Sequence, residues 1–286
     1  MRDLVTLMLA AIALAWCADH VSFGPAKHDR RQRLIVCTLV IIILLAGFAG
    51  LRTRCNDTAT YRYSYKLLTE KLWEASDKSI GSNPLFNWVN YRLKMHGVST
   101  QNFLMFWAFL TVGCYFIFVH KYSVNYPLTI FLLFVTGCYT FAFAGIKQAA
   151  AVGISVIATM FALKKKWLLF AVGILIATLI HPYSLMYLAV PFMTFKPWTK
   201  ITYWMLAAFI AAGFLLRPLL GTVVNITTLL GEEYTVSSFT GDGVNMFRVL
   251  VCNVPMVLSF LYRKKLFADS SEAENLAVNL TMLNGS

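Results

Sequence analysis

Charge is scarce in this sequence. Only 13% of the residues are Asp, Glu, Lys or Arg, against about 25% in an ordinary soluble domain. Such a chain cannot cover a water-facing surface. Acid is scarcer still: 13 carboxylate residues stand against 25 Lys and Arg, a formal charge of +12. A balance of that kind can mark a nucleic-acid binder. Here the basic residues punctuate apolar runs instead of forming one patch, which excludes nucleic acid as a partner. Cysteine is sparse and solitary. The six, at positions 17, 37, 55, 114, 138 and 252, include no CxxC pair and no zinc spacing. Five lie in apolar segments, where cysteine is an ordinary small hydrophobe; only Cys55 lies in a polar loop. Neither a disulfide framework nor a structural metal is expected. Internal repeats, low-complexity tracts and linkers are also missing, so one domain over residues 1–286 is expected.

What the chain does have is apolar length. Hydrophobic residues make up 58%, and the mean hydropathy is +0.65. Nine apolar runs stand out: Leu4–Cys17, Leu34–Leu51, Phe103–Val119, Tyr126–Phe143, Ala149–Leu163, Trp167–Ile180, Tyr183–Phe195, Ile201–Leu216 and Val244–Tyr262. Several fall below the ~20 residues of a full span. Flanking Trp, Tyr and small polar residues extend such runs, and short or broken helices line cavities. The fold class expected is all-α: a polytopic transmembrane bundle of about nine spans, some short or broken.

Orientation follows from the basic residues. Lys27, Arg30, Arg31 and Arg33 separate the first two runs. Lys121 follows the third, Lys164–Lys166 the fifth, Lys196 and Lys200 the seventh, and Arg263–Lys265 the ninth. All these junctions share one side if nine runs span, and the positive-inside rule makes that side cytoplasmic. The N-terminus is then expected outside, and residues 266–286 form a cytoplasmic tail. The first run, flanked by Arg2 and Ala18, could be read as a signal peptide. Cleavage there would leave the basic stretch 27–33 to be translocated, so an uncleaved anchor is expected.

The outer face then carries most of the polar material. Residues 52–102 are too polar to span and too long for a plain turn. Within them Tyr61–Trp73 is expected to lie as an amphipathic interfacial helix, and Leu85–Leu93 as a second short helix after the Asn83-Pro84 turn. Residues 217–243 form a second outer loop. Two ionisable residues close or follow apolar runs on this same side: His181, at the end of Trp167–Ile180, and Lys147, in the turn Ala-Gly-Ile-Lys-Gln. Charge and imidazole are costly at membrane depth and usually face a cavity with a task.

Four local patterns carry a family resemblance. They are Leu-Arg-Thr-Arg-Cys-Asn-Asp-Thr-Ala-Thr-Tyr at 51–61, Asn-Pro-Leu-Phe at 83–86, Ala-Gly-Ile-Lys-Gln-Ala-Ala-Ala at 144–151, and His181 followed by Pro-Tyr-Ser. Val244–Arg248 adds an Asn-x-x-Arg pattern. In order and spacing these resemble the EpsG family of bacterial exopolysaccharide proteins, relatives of the Wzy-type polymerases. Asn83 and Lys147 stand where that family usually has Glu and Arg. The chain ends about where the family starts further helices, so a short or truncated member is expected.

The resemblance implies a GT-C-like glycosyltransferase in the cytoplasmic membrane. Its partners would be a polyprenyl-pyrophosphate-linked oligosaccharide, the growing glycan, the bilayer and other exopolysaccharide assembly proteins. No cofactor or metal is implied. Arg52, Arg54, Lys147 and Arg248 are the candidates to hold the pyrophosphate, because guanidinium and ammonium groups stabilise phosphate charge where water is excluded. His181 and Asp57 are the candidate general bases for the acceptor hydroxyl. Structural alternatives exist for each: a helix cap for His181 and Asp57, a snorkelling side chain for Lys147, interfacial anchors for Arg52 and Arg54. Two rival functions are a lipid-linked sugar flippase, which calls for repeats and mid-helix charges, and a non-catalytic partner in an assembly complex.

Overall fold

The computed structural model describes residues 2–20, 26–53, 55, 57–68, 83–229 and 246–285. It is all-helical, with no strand among the described residues. The chain divides into two compact units, residues 1–161 with 166–185, and residues 162–165 with 186–286.

The first unit opens with α1 (Arg2–His20) and α2 (Ala26–Leu51). The short helices α3 (Thr58–Leu67) and α4 (Pro84–Met95) follow, then the long α5 (Thr100–Tyr122). Next come α6 (Tyr126–Val135), α7 (Cys138–Ala144), α8 (Ile146–Leu163) and α9 (Trp167–Ile180). Helix α2 packs along α5, while α1 packs on α2 and α6. Alanine makes the contact of α1 with α2 close: Ala11 and Ala15 of α1 are fully buried with Ile41, Leu45 and Ala49 of α2. Two buried tyrosines fix the register of α6 and α7 against α2. Tyr126 shares a 2.7 Å hydrogen bond with Thr38, and the Tyr139 hydroxyl donates to the Leu45 carbonyl at 2.8 Å. In a dry interior such bonds are worth making, because an unpaired hydroxyl there is costly.

Among the described residues, three helical stretches, Asp3–His20, Leu34–Leu51 and Thr100–Tyr122, are long and apolar enough to cross a membrane. The fourth apolar run is not one straight helix. It breaks into α6 and α7, bent by 45°, because Gly137 adopts φ +81°, a left-handed conformation that ends a helix. Shorter apolar helices follow at Ile146–Ala162, Trp167–Ile180, Lys200–Leu215 and Val249–Leu261. The seventh run is no α-helix: Pro182–Met193 forms a 3₁₀ helix of 12 residues. At ~2.0 Å per residue it is about 24 Å long, longer than an α-helix of equal count.

The two short helices expected between the second and third apolar runs are found at α3 and α4; the expected stretch Tyr61–Trp73 is helical to Leu67, and residues 69–82 lie outside the described ones. In the second unit α10 (Lys200–Leu229) runs past Pro218, so the start of the expected loop 217–243 is helical and Arg217 sits within a helix. Residues 230–245 lie outside the described ones. Then come α11 (Met246–Leu261), α12 (Arg263–Leu266) and α13 (Glu272–Gly285). Helix α13 packs on α10 and α11. Asn279, fully buried, donates to the carbonyls of Met193 and Phe195 at 2.7 and 2.8 Å. The helix starts with a reciprocal cap: the Glu274 carboxylate accepts from the Ser271 N–H and hydroxyl, and the Glu274 N–H donates to Ser271 Oγ. Those bonds hold the Glu274 carboxyl below its ordinary pKa.

Candidate functional site

One end of the first unit is built from the junctions that carry the sequence patterns. Helix α2 ends there and α5 begins there, side by side: Gln101 Nε2 donates to the Gly50 carbonyl, and Arg62 donates to Gln101 Oε1 at 2.9 Å. The Tyr65 hydroxyl of α3 donates to the Val98 carbonyl at 2.9 Å, and its ring stacks on Phe103 with centroids 4.3 Å apart. Burial pushes the Tyr65 phenol above its ordinary pKa. Beneath lies one apolar cluster that includes Tyr65, Phe86, Phe103, Trp107, Ile146 and Ile180, with Tyr61 packed against it. Phe86 lies three residues after Asn83, Ile146 precedes Lys147, and Ile180 precedes His181. The cluster therefore unites the neighbourhoods of all four patterns, which are separated by up to ~130 residues in sequence.

His181 ends α9 as its C-cap and donates its N–H to the Ala177 carbonyl at 2.8 Å. Its side chain is not at the surface: the residue is 4% exposed. The imidazole Nδ1 lies 3.4 Å from Oδ1 of Asn83, itself 8% exposed. The Tyr183 ring meets the imidazole edge-on at 5.0 Å. Helix α4, which Asn83 precedes, packs against α9. By sequence Asn83 is one half of the Asn83-Pro84 turn and a departure from the family pattern, with no local sign of a site role. A polar residue directly before Pro84 is visible, but nothing local says that it turns toward a histidine 98 positions away.

Arg52 leaves the end of α2. Its Nε donates to the buried Thr58 hydroxyl at 2.9 Å, its Nη1 donates to the Ala49 carbonyl, and its guanidinium lies 5.7 Å from the Phe143 ring. Burial pulls its pKa below the ordinary value; a guanidinium remains a cation all the same. Lys147 is half-buried in the first turn of α8, four residues beyond Phe143. That is an unfavourable place for a cation with respect to the helix dipole and a favourable one for an anion. Asp57 takes the N-cap position of α3, exposed, with no side-chain cap bond; its carbonyl accepts from the Tyr61 N–H at 3.0 Å. Arg54 lies outside the described residues. Arg248 is in the first turn of α11, in the second unit, and its side chain is likewise not described.

A further residue draws attention in the same turn as Lys147. Gln148 Oε1 is buried without a hydrogen-bond partner among the described residues. The side chain folds back over Gly145, where any Cβ would lie 2.5 Å from that oxygen. A glutamine at this position usually caps the N–H at the helix start. Here the Gly145 N–H already donates to the Phe141 carbonyl at 3.2 Å.

Fold and site together define a class: an all-helical membrane protein with cationic and imidazole side chains at one end of a helix bundle. The model of the EpsG family matches residues 35–284, and the chain belongs to that family. Membership makes it a membrane protein of exopolysaccharide biosynthesis. No curated protein and no solved structure matches it.

Proposed function

We propose that the protein is a polysaccharide polymerase. It joins oligosaccharide units carried on polyprenyl pyrophosphate at the outer face of the cytoplasmic membrane, with its N-terminus outside. The observation that carries this reading is the buried imidazole of His181, which follows Ile180 of the apolar cluster that also holds Ile146, the residue before Lys147. An ionisable ring removed from water and hydrogen-bonded to a buried side chain is costly to keep and leans toward function.

The chemistry divides among the residues. An acceptor hydroxyl attacks the anomeric carbon of the donor sugar. The new glycosidic bond forms as the bond to the pyrophosphate oxygen breaks. His181 takes the hydroxyl proton. Lys147 and Arg52 stabilise the pyrophosphate charge as it leaves, with Arg54 as a further candidate. Asp57, exposed at the head of α3, is the second candidate base.

Purified protein incubated with lipid-linked repeat units should yield a ladder of longer glycans on a gel. His181→Ala should cut turnover by about 10²–10⁴-fold, the usual contribution of a general base, while lipid-linked substrate still binds. His181→Gln keeps hydrogen bonding without basicity and should be as inactive. Full polymerisation by His181→Gln removes the base role from His181 and passes it to Asp57.

A further inference from the structure

We infer that Asn83 is a positioning residue that sets the tautomer of His181, holding the proton on Nδ1 and leaving Nε2 as the basic atom. The atom of Asn83 that faces the ring is the carbonyl Oδ1, 3.4 Å from Nδ1. An amide oxygen only accepts, so the pair requires a proton on Nδ1, and the lone pair of the neutral imidazole then resides on Nε2.

Both partners are held in place from independent elements. Asn83 stands at the N-cap of α4, where an asparagine ordinarily turns back to its own helix. It makes no such side-chain cap bond. Pro84 occupies the first helical position and has no N–H to satisfy, and the Asn83 carbonyl serves the Asn87 N–H at 3.0 Å. The carboxamide is thereby directed to the neighbouring helix instead. The ring is held by its own backbone: the His181 N–H is bonded to Ala177, and the His181 carbonyl accepts from the Ser184 N–H at 3.1 Å. The edge-on Tyr183 ring limits rotation further. Ser184 is 3% exposed, so both ends of this turn are buried.

The partner's neutrality matters as much as its position. A carboxylate here would hold the imidazole protonated to higher pH, because an opposite charge within ~4–6 Å favours the charged form by about 1–3 pKa units. Asn83 orients the ring without that bias. Among the described residues, the helices packed around this apolar cluster carry no carboxylate; their titratable groups include Tyr183 on the same turn, Lys147 at the head of α8, Tyr61 and Tyr65 on α3, and Tyr91, Arg92 and Lys94 on α4.

The inference rests on the base role proposed for His181, yet the tautomer can be read without turnover. The test is ¹⁵N NMR of histidine-labelled full-length protein in a bilayer mimetic, with His20, His28, His96 and His120 replaced. The expected spectrum has Nδ1 protonated and Nε2 unprotonated, with that preference lost in Asn83→Leu. Glycan synthesis supplies the second arm. Asn83→Leu should lower turnover ~10–100-fold, in line with other partners that orient a ring, with substrate KM little changed. Asn83→Asp should restore turnover and move the acid limb of the pH–rate profile up by about 1–3 units. The sign follows from the base being the neutral ring: raising its pKa means that activity is lost at higher pH. A proton found on Nε2, or an Asn83→Asp profile that superimposes on wild type, overturns the inference. A wild-type protein that makes no ladder instead overturns the polymerase reading, and the NMR arm still decides the tautomer.

Discussion

At the scale of single residues, the site end is defined by groups whose positions are unfavourable for stability alone. Lys147 is a cation in the first turn of α8, where the helix dipole disfavours positive charge by a few tenths to ~1 kcal/mol. Arg52 is drawn out of water toward Phe143 and Thr58. Gln148 Oε1 is sealed without a donor among the described residues, a cost of about 1–3 kcal/mol in a typical interior. Such violations of local preference concentrate where a ligand completes the arrangement. In the proposed mechanism a bound pyrophosphate meets both cations. Lys147→Ala should therefore abolish polymer formation with the protein level intact. Lys147→Arg should retain or improve it, since a guanidinium adds bidentate geometry to the same charge. The check is glycan synthesis in cells together with immunoblotting of membranes. Wild-type polymer from Lys147→Ala would reduce the residue to an interfacial anchor.

At the scale of elements, close approach of α2 and α5 positions the site. Gly50 sits where a Cβ would lie 2.8 Å from the Met105 Cα, and its carbonyl accepts from Gln101. No side chain fits that gap without moving backbone. Gly50→Val should therefore separate the helices, at a cost of about 1–3 kcal/mol for an overpacked seam. It should lower the thermal unfolding midpoint and weaken binding of lipid-linked substrate together. Unchanged stability in Gly50→Val would show that the seam is not as tight as described. Helix length is the second lever. With 14 residues α9 is about 21 Å long, well short of a ~30 Å hydrocarbon layer. In the proposed topology it starts at the cytoplasmic lysines and ends below the outer surface, which fits the burial of His181 at its tip.

At the scale of the whole molecule, the proposed topology keeps the basic junctions on one side and the site end on the other. Cys55 is exposed, just beyond α2. A membrane-impermeant maleimide should label it in intact cells. A cysteine introduced at Lys165, exposed and ion-paired to Glu272 at 2.7 Å, should react only after permeabilisation. Labelling of the Lys165 site in sealed cells overturns the orientation. An exposed ion pair of this kind adds little stability, so the substitution should leave the protein level unchanged.

The amino-acid sequence by itself determined the class and the placement of most helices, because both depend on local composition. Apolar length against ~30 Å of hydrocarbon dictates helices, and Ser, Asn and Pro mark where they start, as Ser99 and Asn125 do by accepting from the N–H groups of Asn102 and Leu128. The patterns at 51–61, 83–86, 144–151 and 181–184 were legible as patterns. Their meeting was not. That Asn83 faces His181, that Thr58 holds Arg52, and that Gln148 meets no donor among the described residues depend on contacts between helices far apart in the chain. Local spacing does not encode such contacts. The break at Gly137 and the 3₁₀ course of Pro182–Met193 were hidden for a related reason. An apolar run reads the same whether it bends or stretches, and only packing against its neighbours decides which backbone it adopts.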